Sequence, residues 1–310
     1  MASRPSYVVI TPARNEAQFI EQTLRSVSAQ TAKPLRWVIV NDGSTDGTDR
    51  IVQKYASEHP WIKLVTLPAR EGRDFAGKAR AFAAGYSHFG DLDYDAIGSL
   101  DADISFDPDY FSFLLDKLTS DPALGLVGTP FAENGQTYDY RFVSIEHVSG
   151  ACQLFRRECF EQIGGYVPMP TGGVDHVAVI TARMRGWRTR TFADKVCHHH
   201  RAIGSALHGT LRGKIKVGKL DYELGSHPLW EVFRVAYQCS KPPMVVGGCM
   251  IGWGYFSSMI RGSARPVSPE LVRFRQREQM RRLGNLFRGK SGRSSREPNR
   301  EILQSETRIG

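Results

Sequence analysis

The chain is poor in several features that would place it in whole classes of protein. Its five cysteines (Cys152, Cys159, Cys197, Cys239 and Cys249) are odd in number and nowhere spaced Cys-x-x-Cys. A disulfide scaffold and a paired-cysteine zinc module are thereby excluded, and a reduced, cytoplasmic setting is expected. The start, Met1–Ser6, is short and polar, so no secretory leader is expected. No internal repeat is evident. The longest uncharged apolar stretch, residues 244–260, reaches 17 residues with four glycines, the lower limit for a bilayer span. One-sided charge is also missing from most of the chain. The formal net charge is +9, but Arg261–Gly310 holds 13 basic against 5 acidic residues, a surplus of 8 that leaves about +1 for everything before it. A balanced body argues against a nucleic-acid surface, and no nucleic-acid partner is expected.

What is present is a large apolar fraction, 41% of 310 residues, enough for one large core or a domain with an appendage. Strand and helix signals alternate along the first half. Tyr7–Thr11 is apolar and β-branched, and Phe19, Ile20, Thr23, Leu24 and Val27 mark a helical face. Trp37–Val40 and Ile62–Leu67 read as strands flanking a helix that begins near Ile51. Gly77–Tyr86 reads as a helix and Ala96–Leu100 as a fourth strand. Helix 108–119, a strand near Leu126–Thr129, an extended run Ala151–Phe155, a helix Asp175–Arg185 and an extended Trp187–Phe192 follow. Strands joined by crossover helices predict a doubly wound, mostly parallel α/β sheet. In such sheets ligands sit beyond the carboxyl ends of strands, the edge shared by the polar loops after Thr11, Val40 and Leu100.

The loop after Leu100 carries Asp101-Ala102-Asp103. Residues i and i+2 of an extended chain point the same way, so both carboxylates can face one hard cation and the phosphates it holds, as Mg²⁺ or Mn²⁺ sites require. Asp42 ends the second strand, where a carboxylate can accept from a nucleobase edge or a ribose hydroxyl. Lys78 opens an Ala-rich helix, poorly placed for the helix dipole but well placed beside a phosphate bound there. Arg80 is its alternative. Cys197-His198-His199-His200-Arg201 has no second ligand cluster, so a closed four-ligand zinc site is not expected.

Four segments together resemble the family 2 glycosyltransferases: Ile10–Glu16, Val40–Asp46, Leu100–Asp103, and Gly172-Gly173-Val174-Asp175 leading to Arg183-x-x-Gly186-Trp187. The resemblance runs from about residue 6 to 200. It implies an inverting sugar-transfer enzyme of the GT-A type, in a bacterial surface-polysaccharide or glycolipid branch. By that resemblance Pro12, Glu16 and Asp42 shape the base and ribose pocket, while Lys78 or Arg80 is expected at the diphosphate from its place at the helix start. Asp101 supports the metal, Asp103 binds it directly, a following histidine (preferably His200) completes it, and Arg201 meets a phosphate. Asp175 is the implied general base; many relatives carry Glu-Asp where this chain has Val174-Asp175-His176. Mn²⁺ or Mg²⁺ is the implied cofactor. The donor is a UDP-sugar by default, with guanosine and thymidine donors open, and the acceptor is a hydroxyl, plausibly lipid-linked.

Three parts are expected: a catalytic domain over 1–205, divided near residue 105 into nucleotide-sugar and acceptor halves; a helical extension over 206–262; and a basic, partly disordered tail over 263–310. Gly213–Trp230 resembles the segment that follows the core in bacterial family members. Leu229, Val232, Phe233, Ala236 and Tyr237 form an amphipathic stripe. A simple span at 244–260 would separate the tail from a cytosolic catalytic domain, so an interfacial or re-entrant placement is expected, with the tail drawn to anionic lipid at the inner face of the plasma membrane; a buried core helix with a solvated basic tail is the alternative. The alternatives are a polyprenyl-phosphate sugar synthase, whose acceptor is already ionised, an Asp-x-Asp phosphatase and a non-catalytic membrane adaptor. The phosphatase reading fits poorly, because its nucleophile pattern stands near the start of a chain. The adaptor reading leaves Asp42, Asp101, Asp103 and Asp175 unexplained.

Overall fold

The computed structural model describes residues 5–69, 76–132, 144–201, 211–240 and 243–288. The first half folds as the period-2 and period-3.6 patterns predict. In order come β1 (Tyr7–Ala13), α1 (Ile20–Ser28), β2 (Arg36–Asp42), α2 (Thr48–Glu58), β3 (Ile62–Leu67), α3 (Gly77–Tyr86) and β4 (Ala96–Leu100). These four strands are parallel and lie in the order β3-β2-β1-β4. Alternate residues of β1 serve two cores: Tyr7 and Val9 join Ile20, Leu24 and Trp37 on one face, while Val8 and Ile10 join Phe82 and Ile180 on the other.

Beyond β4 the chain continues as β5 (Ile104–Ser105), α4 (Tyr110–Ser120), β6 (Leu124–Gly128) and β7 (Phe131–Ala132). Next come β8 (Cys152–Arg156), α5 (Arg157–Ile163), α6 (Val174–Met184), β9 (Arg188–Thr191) and β10 (Cys197–His199). β8 inserts antiparallel between β4 and β6, and β9 closes the seven-stranded sheet parallel to β6. The sheet is therefore mostly, not wholly, parallel. β5, β10 and β7 form a second, three-stranded sheet across the carboxyl edge of the first.

Four helices follow: α7 (Leu211–Glu223), α8 (Pro228–Cys239), α9 (Val246–Ile260) and α10 (Pro269–Phe287). α9 occupies the apolar segment, and its glycines serve packing. A Cβ on Gly254 would collide with the carbonyl of Ile215 in α7, and one on Gly248 would meet the backbone of α8. Reciprocally, Gly218 of α7 abuts the carbonyl of Ile251. Among the described residues no helix is long and apolar enough to cross a membrane. The first part of the basic tail, ahead of the stretch after Phe287 for which disorder is expected, is helical. α10 is a regular helix with Ser268 as N-cap and Pro269 at its first position, and it docks through buried Leu271, Val272, Arg275 and Leu283. Arg183 of α6 forms a bidentate pair with Glu278 of α10 at 2.9 and 3.0 Å. Residues 1–4 and 289–310, including the part of the tail expected to be disordered, lie outside the described residues.

Candidate functional site

The carboxyl edge of β1, β2 and β4 gathers the residues singled out above. The loops after β1 and β2 are tied to one another. Glu16 N–H donates to Thr48 Oγ1 (2.8 Å), Ala17 N–H to Asp46 Oδ2 (2.9 Å) and Thr45 N–H to Asn15 Oδ1 (2.9 Å). Asn15 adopts φ +55°, a conformation asparagine tolerates better than most residues. Gly43, at φ +69°, lets the turn after Asp42 pass against the backbone of Ala69. Pro12 sits on β1 opposite Val40, and Asp42 is buried at the end of β2. Burial, with Asp103 nearby, raises the Glu16 carboxyl to about 7 against the pull of Arg201.

The paired acids follow β4 as predicted, and each meets a cation of the chain. Lys78 Nζ donates to Asp101 Oδ1 (2.8 Å) and to the carbonyl of Gly150 (3.1 Å), and lies 3.0 Å from Asp175 Oδ1. One ammonium thus joins the supporting acid to the candidate base. Burial opposes the Lys78 charge, but Asp101 and Asp175 more than reverse this and hold its pKa above the ordinary value. Asp101 is raised to about 6, by burial first and with Lys78 opposing. Arg80 is exposed.

Asp175 stands in the first turn of α6. The N-cap of that helix is Gly173, at φ +86°, with no side-chain cap, so Asp175 does not serve as the cap. Gly150 has no Cβ to bar the Asp175 carboxylate, which passes where one would stand. α7 and the residue that follows it support the turn before Asp175: Leu220 and Leu224 pack on Gly173, and Thr171 Oγ1 donates to Glu223.

The histidine run needs one correction. β10 pairs antiparallel with β5, placing His199 opposite Ile104, and it is His199 rather than His200 that turns toward the acids. His199 Nε2 lies 3.4 Å from Asp103 Oδ1, and its Nδ1 lies 2.5 Å from the carbonyl of Arg201. The imidazole is thus held between a backbone carbonyl at Nδ1 and Asp103 at Nε2, an arrangement that fixes the orientation of the ring toward the acids. His200 Nε2 instead lies 2.8 Å from Ser105 Oγ. Asp101, Asp103 and His199 each offer one ligand atom within 4.8 Å of the others. Two carboxylate oxygens and one imidazole suit a divalent ion of the Mn²⁺ type, so these residues fit the implied metal. Arg201 completes the group: Nε donates to Asp103 Oδ2 (3.2 Å), a terminal nitrogen pairs with Glu16, and the guanidinium lies 5.2 Å from the centre of the Phe19 ring.

Comparison with known proteins bears on the same residues. The family model for glycosyl transferase family 2 matches residues 8–173, just over half of the chain. Over 136 residues the chain is 33% identical to the poly-β-1,6-N-acetyl-D-glucosamine synthase of Staphylococcus aureus (strain COL), covering 44% of this chain and 31% of that protein. A chondroitin synthase of Pasteurella multocida (strain Pm70) is 30% identical over 125 residues, 40% of this chain and 12% of its own. The chain thus matches less than a third of the length of either relative. Among solved structures, the mannosyltransferase PcManGT of Pyrobaculum calidifontis, in complex with GDP-Man and Mn²⁺, superposes with a TM-score of 0.58 at 23% identity, covering 93% of this chain and 84% of its own. S. aureus TarS (1–349) with UDP-GlcNAc gives 0.53 at 15% identity over 84% and 74%. The fold is that of the GT-A glycosyltransferases.

Proposed function

Because this chain belongs to glycosyl transferase family 2, we propose that it is a metal-dependent inverting transferase that moves a sugar from a nucleoside diphosphate to an acceptor hydroxyl. One observation carries the reading: Asp101, which forms a triad with Asp103 and His199, and the carboxylate of Asp175 flank a single ammonium, Lys78. Donor and base sites are thus contiguous. In this reading Pro12, Glu16 and Asp42 hold the nucleoside, and Asp101, Asp103 and His199 hold Mn²⁺ or Mg²⁺. That metal would offset the charge developing on the departing diphosphate. Asp175 takes the proton of the acceptor hydroxyl as its oxygen attacks the anomeric carbon. The new carbon–oxygen bond forms on the face opposite the one that breaks to the diphosphate, so configuration inverts.

A UDP-sugar is the default donor. The UDP-GlcNAc held by TarS supports it, and the GDP-Man held by PcManGT keeps the guanosine alternative in the test. The likeness to two polysaccharide synthases supports a role in surface polysaccharide or glycolipid synthesis, and a lipid-linked acceptor is part of the proposal. Thermal melting of the full chain with UDP, GDP, TDP or ADP, each with Mn²⁺, Mg²⁺ or chelator, tests the donor site. Ligand binding to the native state raises the melting temperature. A metal-dependent shift with one nucleotide is expected, and no shift with any of the four removes the reading.

The proposed division is a catalytic unit to about residue 205, then helices α7–α9 and the basic tail. α8 points to the location of the enzyme. Its one fully buried side chain is Glu231, while Leu229, Val232 and Phe233 are exposed. Met244, Val245, Trp253 and Ile260, the last 82% exposed, add apolar surface from the neighbouring loop and helix. Together with the positive surplus of the tail, this suits peripheral attachment to an anionic bilayer at the cytoplasmic face. Co-sedimentation with anionic against neutral vesicles tests it. Equal recovery in the supernatant of both would end it.

A further inference from the structure

The reach of Arg201 goes beyond a phosphate contact. Its Nε addresses Asp103 Oδ2 and its fork reaches Glu16, while the other oxygen of Asp103 faces His199. Both oxygens of the direct metal ligand are therefore already engaged by side chains of this protein. The two cations at the acid pair differ in freedom. Lys78 is held from three sides by Asp101, Asp175 and the carbonyl of Gly150. Arg201 is 46% exposed at the mouth of the site, whereas Asp103 is only 10% exposed. Phe19 gives the guanidinium a ring face to rest on.

We propose that Arg201 is a movable counter-ion that competes with the divalent metal for Asp103, and that the diphosphate of the donor draws it away. The inference rests on the donor-site reading above. A divalent ion on Asp103 Oδ1, the oxygen that faces His199, would stand across one carboxylate from the guanidinium on Oδ2, and two cations repel at that range in a partly desolvated site. Metal binding is therefore weakened while the guanidinium stays and strengthened when it swings out. A diphosphate offers it a better partner than Glu16, since the planar fork matches two phosphate oxygens at once. Metal and nucleoside diphosphate therefore load together: each makes the other's binding more favourable, by the same factor in both directions. Metal alone binds weakly, which keeps the site from holding a cation without a donor.

The prediction has a sign that a purely structural or purely phosphate-binding arginine would not give. Removing its charge should strengthen binding of metal alone while weakening the coupling to nucleotide. The experiment measures Mn²⁺ affinity by calorimetry or by loss of the free-ion spin resonance signal, using the full chain as wild type, R201Q and R201K. Each is titrated alone and with UDP, or with GDP if GDP gives the thermal shift. R201Q is expected to bind Mn²⁺ alone about tenfold tighter than wild type, the size of effect a neighbouring charge exerts on a bound cation, and its nucleotide enhancement should fall toward one. R201K keeps the charge but loses the fork, so it should stay weak for Mn²⁺ alone and also show reduced enhancement. Mn²⁺ binding to R201Q that is no tighter than to wild type overturns the proposal, and R201K guards against misreading a folding defect in R201Q. Wild type that binds Mn²⁺ but no nucleotide at all overturns the donor-site reading itself, a different failure from an unchanged R201Q.

Discussion

The parallel sheet and the carboxy-terminal helices bury opposite things. In β1, β2 and β4 the valines, isoleucines and Trp37 are inaccessible, and the acids are gathered at the strand ends. In α8 the fully buried side chain is Glu231, and the apolar stripe Leu229, Val232, Phe233 faces outward. The polarity of the first region follows water, so an apolar pattern there reports a core. That of the second follows whatever covers it from outside, so the same kind of pattern reports a surface. A helix can thus be amphipathic with its apolar stripe turned away from the core.

The largest expected effects come from breaking the polar edge of the sheet. Asp175→Asn should lower kcat by about 10²–10⁴-fold, the range for loss of a general base, while leaving the metal-dependent nucleotide melting shift in place. A mild loss instead would favour the ionised polyprenyl-phosphate acceptor. Asp103→Ala should abolish that melting shift as well as turnover. Neither variant should collapse the fold, because both side chains stand at loop and helix starts and not in the apolar layers.

The second prediction strikes the helical region where it is most tightly packed. Gly218→Ala would place a methyl group against the Ile251 carbonyl, and Gly254→Ala one against that of Ile215. Overpacking of this kind costs about 1–3 kcal/mol or more, because backbone must shift. Gly284, inside α10, has open space around it. There alanine should stabilise by about 0.5–1 kcal/mol, through its helix preference alone. Denaturant unfolding of the three variants measures the contrast, and equal effects would break it.

These particulars show what the sequence carried and where it stopped. Asp101 and Asp103 were readable because a short apolar run ends at them, and strand ends in a parallel sheet are where ligands collect. Asp42 stands at the end of a second such run, whereas Glu16 was singled out by the family resemblance alone. His199 was not, since three consecutive histidines offer no local signal and the choice is made by the pairing of His199 with Ile104 across two separate strands. The insertion of β8 between β4 and β6 was equally hidden, because alternation of elements says nothing about strand order. Gly150, whose missing side chain makes room for Asp175, stood in no recognisable motif. The face of α8 depended on Asp221 of α7 and Arg275 of α10, both brought in from other helices.

A smaller effect probes Glu231 itself. It is inaccessible, and among the described residues neither carboxylate oxygen has a hydrogen-bond partner. Burial raises its pKa to about 8, Asp221 reinforces the shift, and Arg234 and Arg275 oppose it. A carboxyl with a raised folded-state pKa binds its proton more tightly folded than unfolded. Its contribution is thus complete below the unfolded value, near 4.3, and is lost as pH climbs through about 8. Glu231→Gln removes that dependence. Its melting temperature should match wild type near pH 4 and exceed it by several degrees near pH 8.5. A constant difference at both pH values would show that Glu231 is ionised throughout and held by its arginines.

The smallest effect on the fold, and the sharpest on the comparison, belongs to the outer face of α8. If Val232 and Phe233 served a core, replacing both by serine would cost several kcal/mol, as large-to-small changes in a packed interior do. Because they are exposed, Val232→Ser with Phe233→Ser should leave the unfolding free energy within about 0.5 kcal/mol of wild type per site. The same double variant should lose most of its recovery on anionic vesicles, since the apolar area that would enter the lipid boundary is gone. Raising the salt concentration separates the two contributions. It should weaken the attraction due to the basic tail in wild type and variant alike, leaving the difference between them as the apolar share. A double variant that sediments with vesicles like wild type would mean that the tail alone carries attachment. The exposed stripe would then be ordinary surface, and its reversed polarity a consequence of burying Glu231 among Asp221, Arg234 and Arg275.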